Sequence, residues 1–353
     1  MSNDKLNTAV LGLNKQGQIL LEAAAQTNYF QIQAVADKDT KLAEKLSLKY
    51  NCAAYDDYRR LIMQNPFDCL LVADAIHNCD EYIKIAMKKK TNILKLAPPA
   101  RNFQEAAEFV RLADDENVQF TIANPKRFSQ SYLALKQSLQ QGQIKQIFLI
   151  TAMCIISNDD TGTWQTDPKL AGGGVLLHYC YQIIDQIVCN LPFPQQIYCI
   201  NTNTASDRQQ RSYLTEDTAV VTMKFSDTSF LGNLVASKAF GPAQEIIKVY
   251  GKDKILTVDG SKFTISDSLG RIIKESEYED DELAQYTALL ENFALSMLLP
   301  DKNKLCSSAR ENLSNMAIIE AAYLSARTAM PEEPARILQM VPTEPIDTSA
   351  RKL

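Results

Sequence analysis

The chain has 353 residues, of which 46% are hydrophobic and 22% are charged, and its formal net charge is −5. A chain of this length favours two domains. The acidic balance argues against a large nucleic-acid-binding face, which requires a basic surface. No apolar run approaches the roughly 18 residues that span a bilayer, and the first residues lack the layout of a secretory signal. We therefore expect a cytoplasmic protein with neither nucleic-acid nor membrane partners.

Cysteine and histidine usage bears on disulfides and metals. The eight cysteines form no C-x-x-C pair, and most of them lie inside apolar runs. We interpret them as reduced, buried side chains. Because the chain has only two histidines, His77 and His178, we predict no metal site.

The first 125 residues alternate between short apolar segments and segments with helical spacing of apolar residues. The run Thr8–Gly12 is typical of a buried parallel strand, and Ile19, Leu20, Ala23 and Ala24 follow it at helical spacing. Strands alternating with helices predict a parallel, doubly wound sheet of Rossmann type. The further predicted strands are Ile32–Ala36, Ala53–Tyr55, Phe67–Ala73, Asn92–Leu96 and Val118–Ala123.

The pattern changes after residue 145. Val221, Met223 and Phe225 alternate with polar residues, which is the period of a half-exposed strand. Further strands at 246–249, 255–258 and 263–265 follow one another without helices, and helices are expected at about 283–299 and 307–328. We predict a C-terminal α+β domain with a large open, mainly antiparallel sheet. The predicted domains are 1–125 and 126–330, followed by an extended, proline-containing tail at 331–353.

The first strand-to-helix turn reads Gly12-Leu13-Asn14-Lys15-Gln16-Gly17. A dinucleotide turn of the form G-x-G-x-x-G uses its glycines for the turn, for approach of the pyrophosphate and for close helix packing. Here the middle glycine is replaced by Asn14, whose side chain occupies space near the phosphates. The segment predicts a cofactor-binding turn made of Gly12, Asn14, Lys15, Gln16 and Gly17; the alternative is a Rossmann fold with an empty turn.

Asp37 ends the second predicted strand, 25 residues after Gly12. A carboxylate at that position suits the adenosine ribose hydroxyls of a dinucleotide. The residue favours NAD over NADP, although Lys38 beside it could meet a 2′-phosphate. NAD or NADP is therefore the expected cofactor.

Four segments together resemble the glucose–fructose oxidoreductase, inositol dehydrogenase and rhizopine-catabolism family (Gfo/Idh/MocA). These segments are Ala53–Tyr58, Thr161–Leu177 with its Gly172-Gly173-Gly174 run, Val249–Gly251 and Glu320–Ala326. The resemblance covers nearly the whole chain to about residue 330. It implies an NAD(P)-dependent oxidoreductase acting on a sugar, cyclitol or related small polyol. It also implies a homo-oligomer, a dimer or tetramer, that packs through the open sheet.

The residues that carry catalysis in this family are replaced here. The family's Glu-Lys-Pro corresponds to Leu96-Ala97-Pro98, and alanine can neither donate a proton nor hold a hydroxyl. The family's Asp and His, spaced four residues apart on the glycine-led helix, correspond to His178 and Gln182. Its Thr-Pro after the fourth strand corresponds to Asp74-Ala75, which brings a carboxylate toward the pyrophosphate. The resemblance thus assigns Asp74 and Pro98 to the cofactor site, and Ala97 to the substrate pocket.

His178 is the remaining candidate for acid–base work, because hydride transfer from an alcohol requires a group that takes the hydroxyl proton. The alternative is a histidine bonded to neighbouring backbone or to Tyr179 or Tyr181. Lys95 precedes Ala97 by two residues and so points to the same side of its strand. It is a second candidate, as a partial replacement for the missing lysine.

Further residues are assigned to the substrate pocket from the resemblance. Lys126 and Arg127 match a basic pair that binds an anionic substrate group or forms ion pairs between domains. Trp164 and Asp167 lie on the loop before the glycine-led helix, where tryptophan either walls a sugar-sized pocket or packs against another subunit. Tyr181 is expected beside them, with the whole set around one pocket between the domains.

Two functional hypotheses are compatible with these residues. The first is a divergent oxidoreductase of a sugar-like substrate. The second is a catalytically silent relative that binds a ligand or assembles with other subunits in a regulatory or structural role. Cleavage of glycosides with the help of NAD is a third and weaker hypothesis, because it also needs the proton-transfer groups that are replaced.

Overall fold

The computed structural model describes residues 5–157, 163–204, 214–225, 230–239, 241–279 and 281–340. By its contacts the chain divides into two compact units. The first unit comprises Met1–Ala100, Glu105–Phe128 and Asp281–Asn312, and the second comprises Arg101–Gln104, Ser129–Asp280 and Leu313–Leu353.

The helices and strands have the following bounds. The helices are α1 (Lys15–Gln26), α2 (Thr40–Tyr50), α3 (Tyr58–Gln64), α4 (Ile76–Lys88), α5 (Phe103–Glu116), α6 (Gln130–Gln140), α7 (Pro168–Ala171), α8 (Val175–His178), α9 (Tyr181–Asn190), α10 (Glu282–Leu298), α11 (Ala309–Thr328) and α12 (Pro334–Leu338). The strands are β1 (Leu6–Leu11), β2 (Phe30–Ala36), β3 (Ala53–Tyr55), β4 (Cys69–Val72), β5 (Asn92–Leu96), β6 (Phe120–Ala123), β7 (Ile147–Ile155), β8 (Gln196–Thr202), β9 (Thr218–Lys224), β10 (Leu231–Ser237), β11 (Gln244–Gly251), β12 (Lys254–Asp259), β13 (Lys262–Asp267) and β14 (Ile272–Glu277).

The first unit holds a parallel sheet with the strand order β3-β2-β1-β4-β5-β6. The order reverses between β1 and β4, and in such sheets ligands bind outside the carboxyl ends of the strands at this switch point. Every residue of β4 is buried, as expected for a central strand covered by helices on both faces. The Rossmann sheet predicted from the alternating pattern is confirmed.

Helix α10 belongs to the first unit, which differs from the predicted domain boundaries. Its side chains Tyr286, Leu290 and Phe293 are buried in the same cluster as Val10 of β1 and Leu20 of α1. The periodicity of a helix identifies its apolar face but not the surface that this face covers. The prediction therefore placed α10 at the end of the second domain.

The second unit holds an eight-stranded sheet with the order β14-β13-β12-β11-β7-β10-β9-β8. The neighbours β7 and β10 are parallel and the other pairs are antiparallel. On one face Val221, Met223 and Leu234 lie under Leu176 of α8 and Ile184 of α9, around a small apolar gap. The mainly antiparallel sheet predicted for this part of the chain is confirmed.

The predicted extended tail is partly corrected. Residues Pro334–Leu338 form helix α12, in which Pro334 and Ile337 are buried. Glu332 pairs with Ile197 of β8 through an isolated bridge, so this part of the tail is packed. Residues 341–353 lie outside the described part of the chain. None of the described helices is long and apolar enough to cross a membrane.

Candidate active site

Two glycines fix the turn between β1 and α1. Gly12 has a φ of +83°, and a Cβ built on it would lie 2.7 Å from the backbone nitrogen of Asp74. A Cβ on Gly17 would lie 2.1 Å from the carbonyl oxygen of Gly12. Both positions therefore require glycine, as the motif predicts, and the turn passes close to the end of β4.

Asn14 occupies the position of the missing glycine and caps α1. Its φ of −60° and ψ of 177° are ordinary extended values, so this backbone position does not demand glycine. Its Oδ1 accepts a hydrogen bond from the amide of Gly17 at 3.0 Å, and its Nδ2 donates to the carbonyl of Ala73 at 2.8 Å. One of the free amides at the helix N-terminus is thus satisfied by a side chain.

The next two residues, Lys15 and Gln16, are exposed at the start of α1. Among the described residues, their backbone amides have no acceptor. Unpaired amides and the helix dipole make such an end favourable for a phosphate group. The turn therefore retains two amides that can bind an anion, although the Gly17 amide is bonded to Asn14.

Asp37 lies directly after β2 and is half-buried. Its Oδ2 accepts from the amide of Leu13 at 2.6 Å, and its Oδ1 accepts from the amide of Asp39 at 2.8 Å. The carboxylate thus faces the Gly12–Gly17 turn, where the sequence predicted it. Each oxygen retains a second lone pair for a ribose hydroxyl.

Asp74 is the carboxylate that borders Gly12. Its Oδ2 accepts from the hydroxyl of Tyr58 at 2.8 Å, and its Oδ1 accepts from the amide of Ala75 at 2.7 Å. Burial, with the neighbouring charge of Asp74, raises the pKa of Tyr58 well above its usual range, so its hydroxyl stays protonated and donates. Asp74 therefore adds a fixed negative charge beside the phosphate turn.

Lys95 of β5 is almost completely buried, at 2% exposure. Its Nζ donates to the carbonyl of Leu96 at 3.0 Å and to the carbonyl of Pro98 at 2.8 Å. Burial lowers the pKa of this lysine, whereas Cys79 and Asp74 raise it. The amine is thus hydrogen-bonded to the backbone on either side of Ala97. The Ala97–Pro98 peptide bond is cis.

The basic pair after β6 lies in a short 3₁₀ helix, Pro125–Phe128. Arg127 donates to Glu311 at 3.0 Å, and both residues belong to the first unit. This ion pair lies within one unit, and the predicted role of the basic pair stays a prediction. Lys126 is partly buried in the same helix.

The glycine-led helix of the second unit starts on a buried carboxylate. Glu216 accepts from the amides of Gly174 at 2.8 Å and Leu176 at 3.0 Å, and from the hydroxyl of Tyr323 at 2.9 Å. The negative charge is placed at the N-terminus of α8, where the helix dipole favours it. Burial nevertheless raises the pKa of Glu216. Sequence reasoning missed Glu216 because it lies far from the helix in the chain.

His178 ends α8 beside Trp164. The two rings meet edge to face with centroids 5.5 Å apart. His178 Nε2 donates to the carbonyl of Ala171 at 3.0 Å, which holds the ring against the glycine run. The structure therefore brings together Trp164 and His178, both of which were predicted for the substrate pocket.

The remaining predicted residues of this unit have separate roles. Asp167 caps α7 by accepting from the amide of Lys169 at 2.8 Å. Tyr181 is buried, with 1% of its surface exposed. Gln182 is partly buried, and its Oε1 is shielded from solvent without a hydrogen-bond partner among the described residues.

The cysteines are free, and five of them are buried: Cys69, Cys79, Cys154, Cys180 and Cys199. In the described ranges, no group of three or more His, Cys, Asp or Glu side chains is placed to hold a metal ion.

The sequence matches one oxidoreductase family over both units. Residues 6–124 match its domain described as an NAD-binding Rossmann fold, and residues 136–333 match its C-terminal alpha/beta domain. A curated relative, scyllo-inositol 2-dehydrogenase (NADP(+)) IolU of Bacillus subtilis strain 168, is 27% identical over 136 residues. That match spans 38% of this chain and 41% of the enzyme, which is less than half of either.

Two solved structures share the fold. Levoglucosan dehydrogenase in complex with NADH and L-sorbose superposes with a TM-score of 0.83 at 13% identity, over 95% of this chain and all of that one. An oxidoreductase from Agrobacterium radiobacter in complex with NAD+, L-tartaric acid and magnesium has a TM-score of 0.81 at 15% identity, over 95% and 100%. At these identities the likeness establishes the fold alone.

Proposed function

Since this chain belongs to the Gfo/Idh/MocA oxidoreductase family, we propose that it is an NAD(P)-dependent oxidoreductase of a sugar, cyclitol or related small polyol. The observation that carries the proposal is the Asp37 carboxylate, which faces the Gly12 turn through its bond to the Leu13 amide. The pyrophosphate would lie over the start of α1, near the amides of Lys15 and Gln16. Asp37 would hold the adenosine ribose.

NAD is the favoured cofactor. A carboxylate at the end of β2 suits two ribose hydroxyls and repels a 2′-phosphate. Lys38, which could compensate for that charge, donates from Nζ to Asn78 Oδ1 at 2.9 Å. That bond uses one of the three N–H donors of the lysine, so the preference for NAD rests on the Asp37 carboxylate.

A bound nicotinamide would accept or supply the hydride, while the protein handles the proton of the substrate hydroxyl. His178 is the proposed proton acceptor, because it is the titratable residue at the site matched to the family's catalytic helix. Trp164 packs on the imidazole and Ala171 orients it, so the ring is held in one position. Ala97 and Gln182 contribute no proton.

A catalytically silent, ligand-binding role is the second candidate, and three observations favour it. Asn14 occupies the Gly17 amide that a phosphate would otherwise use. Asp74 adds negative charge beside the same turn. Ala97 replaces the lysine of the family pattern.

The second unit is further proposed to pair with a second copy of the chain. On the sheet face opposite α8 and α9, one apolar row crosses five adjacent strands through Ile200, Val220, Val235, Met153 and Ile246. Ile200 is 63% exposed and Val220 is 44% exposed. The other three residues are partly buried. We take a contiguous, partly exposed apolar row of this kind as an interaction surface. Light scattering at micromolar concentration is expected to give at least twice the chain mass of 39.5 kDa, and a monomer mass would contradict the pairing.

Cofactor titration followed by a substrate panel tests the function. NAD, NADH, NADP and NADPH are titrated calorimetrically, and polyols, cyclitols and sugars are then assayed with the tightest binder. Binding of NAD and turnover of one panel member are the expected results. Ligand binding without turnover would favour the silent relative, and absence of all dinucleotide binding would overturn the oxidoreductase proposal.

A further inference from the structure

Glu216 binds three consecutive backbone amides at the start of α8. Its carboxylate accepts from the amide of Gly174 at 2.8 Å and from the amide of Leu176 at 3.0 Å. Its own carbonyl oxygen accepts from the amide of Val175 at 3.0 Å. The first amides of a helix have no partner within the helix, so the start of α8 is fixed from outside by Glu216.

The glycine run before α8 permits this close approach. A Cβ on Gly174 would lie 1.8 Å from the carbonyl oxygen of Glu216, and a Cβ on Gly173 would lie 2.1 Å from the hydroxyl oxygen of Tyr323. That hydroxyl donates to the Glu216 carboxylate at 2.9 Å. The space for a side chain is therefore taken at both positions by the residues that hold α8.

The preceding residue, Thr215, binds the loop that carries Trp164. Its hydroxyl donates to the carbonyl of Gln165 at 2.8 Å, and its amide donates to the carbonyl of Thr166 at 3.1 Å. Thr215 and Glu216 are both buried. Two neighbouring residues thus hold the Trp164 loop and the start of α8, both of which are distant from them in the chain.

His178 contacts both of these segments. Its ring meets that of Trp164 edge to face, with centroids 5.5 Å apart. Its backbone amide donates to the carbonyl of Gly174 at 3.0 Å, and its Nε2 donates to the carbonyl of Ala171, just before the glycine run, at 3.0 Å. All these residues belong to the second unit. The position of the imidazole therefore depends on how the two segments are held.

We propose that Thr215 and Glu216 are positioning residues, which together hold the imidazole of His178 in the place and orientation from which it accepts the substrate proton. The inference rests on the proposed function and deepens it. Both residues act through His178, because Glu216 fixes the helix that ends in the histidine and Thr215 fixes the loop whose tryptophan packs on its ring. A displacement of about 1 Å can lower a reaction rate about a hundredfold.

Glu216→Gln is the variant that tests the carboxylate. A carboxylate offers two acceptor oxygens, whereas the amide of glutamine offers one acceptor and one donor group. In the variant an N–H donor would face a helix amide, so one bond to α8 is lost with almost no change of volume. Asp217→Asn is the matched control, because it makes the same exchange at the next residue. The Asp217 carboxylate accepts from Thr204 and Thr218, and among the described residues it has no bond to α8.

The first readout is nuclear magnetic resonance of the full chain, labelled in its histidine rings, at neutral pH. The chain has only two histidines, His77 and His178, so His77→Ala assigns the resonances. The ring current of Trp164 displaces the ring-proton signals of His178. We expect Glu216→Gln to move these signals toward those of a solvent-exposed histidine, and Asp217→Asn to leave them in place.

The second readout is steady-state kinetics. Glu216→Gln should lower kcat about ten- to a hundredfold and leave the KM of the dinucleotide unchanged, because the turn proposed to bind it belongs to the first unit. In the His178→Ala background the same change should lower kcat no further, since a residue that acts through another is not additive with it. A merely structural role would lower kcat in both backgrounds.

The outcomes separate this inference from the proposed function. His178 signals that shift in Glu216→Gln but not in Asp217→Asn support the positioning of the ring, and a wild type without turnover would then overturn the oxidoreductase function alone. Unchanged signals in a folded Glu216→Gln protein overturn the inference, and so do additive losses of kcat. If Glu216→Gln does not fold, Thr215→Val decides, because it removes the bond to Gln165. Unchanged His178 signals in that variant would likewise overturn the inference.

Discussion

The Asn14 Nδ2 atom donates a hydrogen bond to the carbonyl oxygen of Ala73 at 2.8 Å, across the carboxyl ends of the neighbouring strands β1 and β4. The same side chain accepts from the Gly17 amide. One residue thus caps α1 and closes the turn in which a pyrophosphate would bind. Phosphate binding and this cap compete for the same amide.

Asn14→Gly is expected to tighten NAD binding about tenfold, because the phosphate no longer has to displace the Asn14 bonds. The free energy of unfolding should fall by about 1 kcal/mol, since the cap and the bond to Ala73 are lost. Calorimetric titration and urea unfolding measure the two effects.

The matched control for that variant is Gln18→Ala. Gln18 Nε2 donates to the carbonyl of Leu13 at 2.9 Å, so this change also removes a side-chain bond from the turn. It leaves the Gly17 amide occupied, and NAD affinity should stay the same. Equal affinities of wild type and Asn14→Gly would show that the asparagine does not compete with phosphate.

Asp37→Ala is expected to weaken NAD binding by about 1–3 kcal/mol, the cost of an unmade buried hydrogen bond. The variant should also lose some stability, because the Leu13 amide loses its acceptor. Asp39→Ala is the control: Asp39 caps α2 through the Leu42 amide at 3.1 Å, so its loss should affect folding alone. Unchanged NAD affinity in Asp37→Ala would reject the ribose assignment.

The position of Asp37 was predictable, whereas that of Glu216 was not. Asp37 ends a strand whose length and alternation are readable in the chain, and the Rossmann order then fixes which edge of the sheet it occupies. Glu216 lies outside the periodic segments, and its burial arises from contacts with residues distant in sequence, among them Gly174 and Tyr323. A single charged residue in such a segment is ordinarily interpreted as solvent-exposed, so no local sequence pattern indicates that it is buried.

Tyr181 shows the limit of transferring roles by helix position. Its place beside His178 suggested a pocket wall, but α8 ends at His178 and α9 begins at Tyr181. The break interrupts the regular spacing that would place residues of the two segments on one helix face, and the Tyr181 side chain is buried. Helical spacing predicts a shared face only while the helix continues.

Lys95→Met is expected to lower the free energy of unfolding by about 1–3 kcal/mol, because the buried carbonyls of Leu96 and Pro98 lose their donor. The effect should grow with pH. Burial lowers the pKa of Lys95 in the folded chain, so between that pKa and 10.5 the unfolded chain binds a proton that the folded chain does not. Wild-type stability therefore rises with pH across this window.

Urea unfolding at a series of alkaline pH values measures this difference, with the exposed Lys45→Met as control. Lys45→Met should follow the wild-type pH dependence, whereas Lys95→Met should lack the rise. A wild type and a Lys95→Met variant with parallel pH profiles would show that Lys95 has the same pKa in both states.

His178→Ala is expected to reduce polyol oxidation about 10²–10⁴-fold, the usual worth of general acid–base assistance. The imidazole is fixed by the Ala171 carbonyl and the Trp164 ring, so its removal takes away a positioned proton acceptor.

The control is His77→Ala, which changes the other histidine and should leave the rate unaltered. Steady-state kinetics with the tightest cofactor measure both variants. Since His178 also packs on Trp164, thermal unfolding must first establish that the variant is folded. A folded His178→Ala protein with the wild-type kcat would show that His178 is not the proton acceptor.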